Sequence, residues 1–252
     1  MDALSDRLIH GAGTPEAQWR DWLDRRSLRQ GRAADLVRSG GTLHIVAPHP
    51  DDEILGCGGI MREAYLDGVQ LCIWAITHGE HSHPGSALWD PPALAQERLR
   101  ESMRALALIA PGTPRHPLGI PDGGVTDFED DIAARIARSV GPRDTVIAPW
   151  RWDGHPDHEA ASRAALRAAK SRGGRFLEAP IWAWHWMAPE TGAFPTDQAL
   201  AVRVSADAMV LRRRAVMCFR SQLQADPSTG KPPVLTAAML ERLERPYEVL
   251  IE

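Results

Sequence analysis

The chain has 252 residues, 44% of them hydrophobic and 25% charged, with a formal net charge of −4, the profile of an ordinary globular protein with enough length for a substantial core. The negative balance offers no basic field to nucleic acid or an anionic membrane, so neither is an expected partner. No apolar run approaches the roughly 20 residues that span a bilayer. MDALSDRLIHGAG lacks the apolar core of a secretory signal, and Cys57, Cys72 and Cys218 are scattered without a CxxC pair; they read as small buried thiols of a cytoplasmic chain, not as a disulfide frame or a thiolate metal site.

From the N-terminus, TPEAQWRDWLDRRSLRQGRAADLV places Trp19, Trp22 and Leu23 on one helical face after Pro15, which predicts a helical extension, residues 1–40, packed on a main body of residues 41–252. TLHIVAP then reads as a strand, EILGCGGIMREAYLDG as a helix stopped at Gly68, and VQLCIWAIT as a second strand. ALAQERLRESMRALALI is an amphipathic helix, RHPLGI a short strand ending at PDGG, and DFEDDIAARIARSV a helix whose early acids complement its dipole. DTVIAPW reads as a strand, HEAASRAALRAAKSRG as a helix, and RFLEAPIWAWHWM as a strand alternating Trp182, Trp184 and Trp186 on one core-facing side. SADAMVLRRRAVMCFRSQLQ predicts a final long helix capped by Ser205 or Asp207, with arginines 212–214 on its solvated face. Strands alternating with helices predict a single α/β domain built on a mostly parallel sheet covered on both faces.

In such a sheet, ligands collect at the carboxyl ends of the strands. Two clusters fall there: His49, Asp51 and Asp52 in PHPDDE, directly after TLHIVA, and WDGHPDH, residues 152–158, after DTVIAPW. His49 with Asp52, and His155 with His158, are spaced i,i+3, so each pair can face one centre. Two histidines and a carboxylate with an open fourth position make a common catalytic zinc arrangement. A cation would also neutralise acids that otherwise repel. Each motif alone has a plainer explanation: Pro-Asp-Asp-Glu suits a helix N-terminus, where acids are worth about 0.3–1 kcal/mol each, and Asp-Gly is an ordinary turn. Their joint occurrence at two strand ends favours the metal. Gly56, Gly58 and Gly59 open a helix after a strand, but they do not meet the dinucleotide fingerprint, and the acids before them would repel a pyrophosphate. THGEHSHP adds His78, His81 and His83, read as a polar rim loop and not a second metal site, with Glu80 beside the centre. Trp150 and Trp152 flank the second cluster and are better placed than the tryptophans of IWAWHWM for a stacking wall against a sugar ring or an attached lipid or aglycone.

PHPDDE followed in order by GCGG, THGE, ERLRESMRALAL, LGIPDGG, DGHPDH and RRRAVMCFRSQ, over roughly residues 42–224, resembles the PIG-L/LmbE family of zinc-dependent N-acetylglucosaminyl deacetylases. The resemblance implies a Rossmann-like three-layer sandwich that hydrolyses the N-acetyl group of a small amino-sugar or glycoconjugate substrate to acetate and a free amine. It implies His49, Asp52 and His158 as ligands of Zn2+, or of another divalent ion, with Asp51 as general base. His155, charged, would donate to the oxyanion or the leaving amine, and Arg98 and Asp122 stand where family members contact the sugar. Pro48, His78 and Phe219 depart from the family pattern, which usually has Ala, Asp and His there; none belongs to the metal set. The alternatives are an amidase cleaving a larger acyl group or a thiol-sugar conjugate, and a non-catalytic zinc or carbohydrate-binding module. Asp51 and His155, present beside the expected ligands, argue against the module.

Overall fold

The structure, a computed structural model, describes Ile9, Gly11 and residues 13–252; the start of the expected extension, and most of the stretch read as lacking a signal, lies outside the described residues. Eight strands form one sheet: β1 (Arg29–Gly31), β2 (Thr42–Ala47), β3 (Gln70–Ala75), β4 (Arg115–Pro117), β5 (Thr145–Pro149), β6 (Arg175–Ala179), β7 (Ala199–Arg203) and β8 (Tyr247–Ile251). Their order is β1-β7-β8-β6-β5-β2-β3-β4, and every pairing is parallel except those of β8 with β6 and β7. The helices are α1 (Glu16–Asp24), α2 (Asp52–Leu66), α3 (Pro91–Ile109), α4 (Glu129–Ala137), α5 (Pro156–Ser171), the single turn α6 (Ala183–Trp186), α7 (Ala206–Val216), and the short α8 (Arg220–Leu223) and α9 (Ala237–Leu240).

Alternate residues of the central strands feed two cores. Leu43, Ile45 and Ile73 meet Ile60 of α2, Ala105 of α3 and Val216 of α7 on one face, while Val46, Trp74 and Val146 meet Ile132 of α4 and the alanines of α5 on the other. This makes the Rossmann-like three-layer sandwich, and it explains why these strands, buried on both faces, read as unbroken apolar runs. A third core joins Trp19 and Trp22 of α1 to Trp150, Trp184 and Phe194, so Trp150 is interior and not a sugar platform.

The chain runs from β2 outward to β3 and β4, then crosses back to β5 and β6 on the other side of β2. The order therefore reverses between β2 and β5, which pair directly, and at such a switch point the departing loops diverge and leave a crevice. Both polar clusters of the sequence leave these two strands.

The GCGG segment bends α2: Cys57 has non-helical φ −154° and ψ 28°. The N–H groups of Gly59 and Ile60 beyond the bend donate to the two carboxylate oxygens of Glu248 on β8, at 2.8 and 2.7 Å. A side chain at Gly59 would lie 2.8 Å from both methyl carbons of Val204, so the close approach requires glycine. Glu248 also pairs at 2.6 Å with Arg212 of α7, which is 2% exposed. Arg212 is thus interior, against the solvated face expected for it. Arg212→Ala is expected to cost about 3–5 kcal/mol in denaturant unfolding, because it leaves a buried carboxylate without its counter-charge; a loss below about 1 kcal/mol would mean that the N–H groups of α2 satisfy Glu248 unaided.

Two further expectations are corrected. The strand through IWAWHWM stops at Ala179, because the buried Asp153 carboxylate accepts from the N–H groups of Ile181, Trp182 and Ala183 at 2.8, 2.9 and 3.0 Å and turns the chain into α6. The final long helix ends at Val216. Ser205 caps α7, accepting from the Ala208 N–H at 3.3 Å, but Phe219 dives into the core and Glu101 of α3 holds both the N–H and the hydroxyl of Ser221, at 2.7 and 2.6 Å, so that α8 starts afresh.

Candidate active site

Beyond β2 the chain reaches the one described non-glycine residue with positive φ, Asp51, at φ 135° and ψ −29°. An L-residue is held there only by surroundings that over-determine it, at a cost of about 1–3 kcal/mol. Its carbonyl accepts from the N–H groups of Ile54 and Leu55, both at 2.9 Å, to start α2. Its N–H donates to Glu53 Oε2 at 3.1 Å, and its Oδ2 receives Arg98 Nη2 at 3.1 Å. Arg98, 3% exposed, also donates to the carbonyls of Pro50 and Gly79 at 2.8 and 2.9 Å. Burial, only partly offset by the Arg98 charge, raises the Asp51 pKa to about 7.

Three donor atoms meet beside it. His49 Nδ1, Asp52 Oδ2 and His158 Nε2 are separated by 3.3, 3.2 and 3.3 Å. These are the edges of a coordination tetrahedron, which for bonds of about 2.0–2.1 Å measure about 3.3–3.4 Å. The other ring nitrogens are already engaged: His158 Nδ1 bonds Asp153 Oδ2 at 2.7 Å, and His49 Nε2 lies 3.2 Å from both Asp122 Oδ1 and Asp157 Oδ2. Each imidazole therefore turns a single nitrogen inward and is oriented by carboxylate on its far side, the usual support of a metal-ligating histidine. The residues fit a divalent ion. His49, His155 and His158, and His49, Asp122 and Asp157, also bring donor atoms within 4.8 Å of one another, but Asp122 and Asp157 share the outward nitrogen of His49.

The electrostatics express the same demand for positive charge. Burial opposes it, yet hydrogen bonds from Asp122, Asp157 and Asp52 hold the His49 pKa well above the usual histidine value. Against the same burial penalty, Asp52 and Asp153 lift His158 to about 9. Asp52 is likewise held well below the usual carboxylate range by His158 and His49, which outweigh its burial. His155, the N-cap of α5, behaves oppositely: burial first, then the charges of His158 and His49, push it down to about 3. It is neutral, where the sequence suggested a charged donor. Its Nδ1 accepts the Asp157 N–H at 3.2 Å, which leaves the ring proton on Nε2.

Asp122, after β4, is fixed by its neighbours: its Oδ2 accepts from the His81 N–H at 2.8 Å and its own N–H donates to Glu80 Oε1 at 3.0 Å. The THGEHSHP loop is thus the polar rim that buttresses Asp122. Asp153 and Asp157, both buried, were not singled out in the sequence although both lie within WDGHPDH. His49, Asp51, Asp52, Arg98, Asp122 and His155 are among the residues that line a cleft of about 750 Å³. The aromatic side chain in its wall is Trp182; Trp152, 45% exposed, is not among the lining residues.

A doubly covered, mostly parallel sheet whose switch point turns two histidines and an aspartate toward one centre defines a Rossmann-like protein with a candidate metal site. The chain belongs to the PIG-L family: residues 44–169, half of its length, match the family described as GlcNAc-PI de-N-acetylase. It is 31% identical over 179 residues to a 1D-myo-inositol 2-acetamido-2-deoxy-alpha-D-glucopyranoside deacetylase of Kineococcus radiotolerans, covering 57% of this chain and 49% of that protein. It is 27% identical over 158 residues to the 2'-N-acetylparomamine deacetylase of Streptomyces fradiae, covering 56% of each. The chain thus spans about half the length of these relatives. The crystal structure of a conserved protein from Thermus thermophilus superposes with a TM-score of 0.58 at 28% identity, over 83% of this chain and 93% of that one.

Proposed function

We propose that the protein is a zinc-dependent hydrolase that removes the N-acetyl group from an N-acetylglucosamine-type small molecule, releasing acetate and a free amine. One observation carries the reading: the inward donor atoms of His49, Asp52 and His158 converge at 3.2–3.3 Å with Asp51 and His155 alongside. The two relatives named as deacetylases of acetamido sugars support the substrate class. His49, Asp52 and His158 would hold Zn2+ or another divalent ion, which supplies Lewis acidity, lowering the pKa of water to ~7 and polarising the amide carbonyl.

Asp51, with a pKa near neutrality, takes a proton as the oxygen of water attacks the amide carbon. Arg98 fixes the carboxylate that does so and acts as a positioning residue, and Asp122 with Asp157 orients His49; Arg98 and Asp122 also line the cleft, where the sugar contacts expected of them would be made. Negative charge develops on the carbonyl oxygen, and the neutral Nε2–H of His155 donates to it, a contribution of about 10²–10³-fold in rate. Asp51 then returns its proton to the nitrogen as the C–N bond breaks, so the products are acetate and the amine. The free thiols of Cys57, Cys72 and Cys218 fit a reducing compartment, the cytoplasm.

The test is acetate release from a panel of N-acetylglucosamine derivatives, with the protein as purified, after chelation, and after zinc is restored. Loss on chelation and recovery with zinc is expected. Turnover that survives complete chelation would remove the metal from the mechanism. No acetate from any member despite stoichiometric zinc would favour the amidase of larger acyl groups.

A further inference from the structure

We infer that the amino sugar this site accepts is joined to an apolar aliphatic or aromatic group, and is neither a free sugar nor one joined to a polyol. The inference rests on the proposed deacetylation and deepens it. The cleft is one continuous space lined by two unlike sets of side chains. One set, around the proposed metal ligands, is acidic and imidazole-rich. The lining also includes Gln222, fully buried, whose Nε2 donates to Ser221 Oγ at 2.9 Å while its Oε1 has no partner; that oxygen is available to accept from a sugar hydroxyl.

The second set has a different chemistry. Leu55, Trp182, Pro233, Val234, Leu235 and Met239 supply it. Besides Asp51, Asp52 and Asp122, no carboxylate lines the cleft among the described residues, and apart from its histidines the basic side chains there are Arg98 and Lys231. A polyol presented to such a wall would lose water without gaining partners for its hydroxyls, which is unfavourable. An apolar group gains there instead.

Size points the same way. An N-acetylhexosamine has about fifteen non-hydrogen atoms, and even at the ~30 Å³ that a water molecule takes in the liquid these fill only about 450 Å³. The cleft holds about 750 Å³, which leaves room for a further group beside the sugar. That wall is preformed: two successive prolines, Pro232 and Pro233, restrict its backbone, the Leu235 N–H donates to the Gln222 carbonyl at 2.9 Å, and Thr236 caps α9.

The experiment is a series of N-acetylglucosaminides carrying methyl, butyl, hexyl and phenyl groups, with the inositol-linked sugar for comparison, assayed for acetate with the zinc-loaded protein. Each methylene that reaches the wall is expected to raise kcat/KM by about two- to fourfold through KM, with kcat little changed. Val234→Asp is expected to reduce the hexyl-to-methyl ratio at least about tenfold, since a carboxylate would stand where the chain lies. A flat series, or preference for the inositol-linked sugar, would overturn the inference while leaving deacetylation intact. If no member yields acetate, the proposed activity fails separately; calorimetry with hexyl and methyl glucosaminide then decides, tighter binding of the hexyl compound supporting the apolar subsite and equal affinities overturning it.

Discussion

Asp51→Gly is expected to abolish acetate release, by about 10²–10⁴-fold, and yet to give a fold more stable than that of Asp51→Ala by about 1–2 kcal/mol. Both variants remove the carboxylate, its buried charge and its bond to Arg98, so those losses cancel between them. What remains is the backbone. Alanine must still adopt φ 135° and ψ −29°, whereas glycine reaches the mirror region freely and gives back only part of the gain through its larger unfolded-state entropy. Paired denaturant titrations measure the difference. Equal midpoints and slopes would show that the position is not strained, and the idea that the fold forces the base into place would go with it. A glycine variant that keeps its turnover would remove Asp51 as the base altogether.

The strain also clarifies why PHPDDE could be read two ways from sequence. Pro-Asp-Asp-Glu does start a helix, and Asp51 does stand at the N-cap of α2; the plain explanation and the catalytic one describe the same residues. The candidate metal set was legible because its members are local, His49 and Asp52 within a turn, and because His158 follows a neighbouring strand with a similar apolar signature. The central strands β2, β3 and β5 were legible because burial on both faces writes itself as mostly apolar runs.

What failed to show is tertiary. RQG of β1 has no apolar pattern of its own and is a strand only because β7 pairs with it. The antiparallel direction of β8 is not a property of its five residues. Three successive arginines read as a solvated face until Glu248, thirty-six residues beyond Arg212, supplies a buried partner. The alternating tryptophans of IWAWHWM carry strand propensity, which the Asp153 carboxylate overrides by binding three consecutive N–H groups.

Asp153 is also where the second large effect is expected: Asp153→Asn should weaken zinc binding by at least about 10–100-fold and destabilise the fold by about 2–4 kcal/mol. Every partner of this carboxylate is a donor. Oδ1 accepts from Ile181 and Ala183 N–H, and Oδ2 from Trp182 N–H and His158 Nδ1. An amide offers one acceptor oxygen and one NH2, so in either orientation a donor pair faces two hydrogens. With NH2 toward Ile181 and Ala183, the turn into α6 loses its buried acceptor. With NH2 toward His158, the ring can answer only by making Nδ1 an acceptor, which moves its proton to Nε2, the atom facing Asp52 and His49. That tautomer cannot ligate a metal. Zinc affinity by competition with a chelator, measured beside unfolding, separates the two orientations: loss of affinity together with stability marks the second, and loss of stability at unchanged affinity the first. Unchanged affinity together with unchanged stability would mean that Asp153 neither sets the tautomer of His158 nor holds the turn into α6.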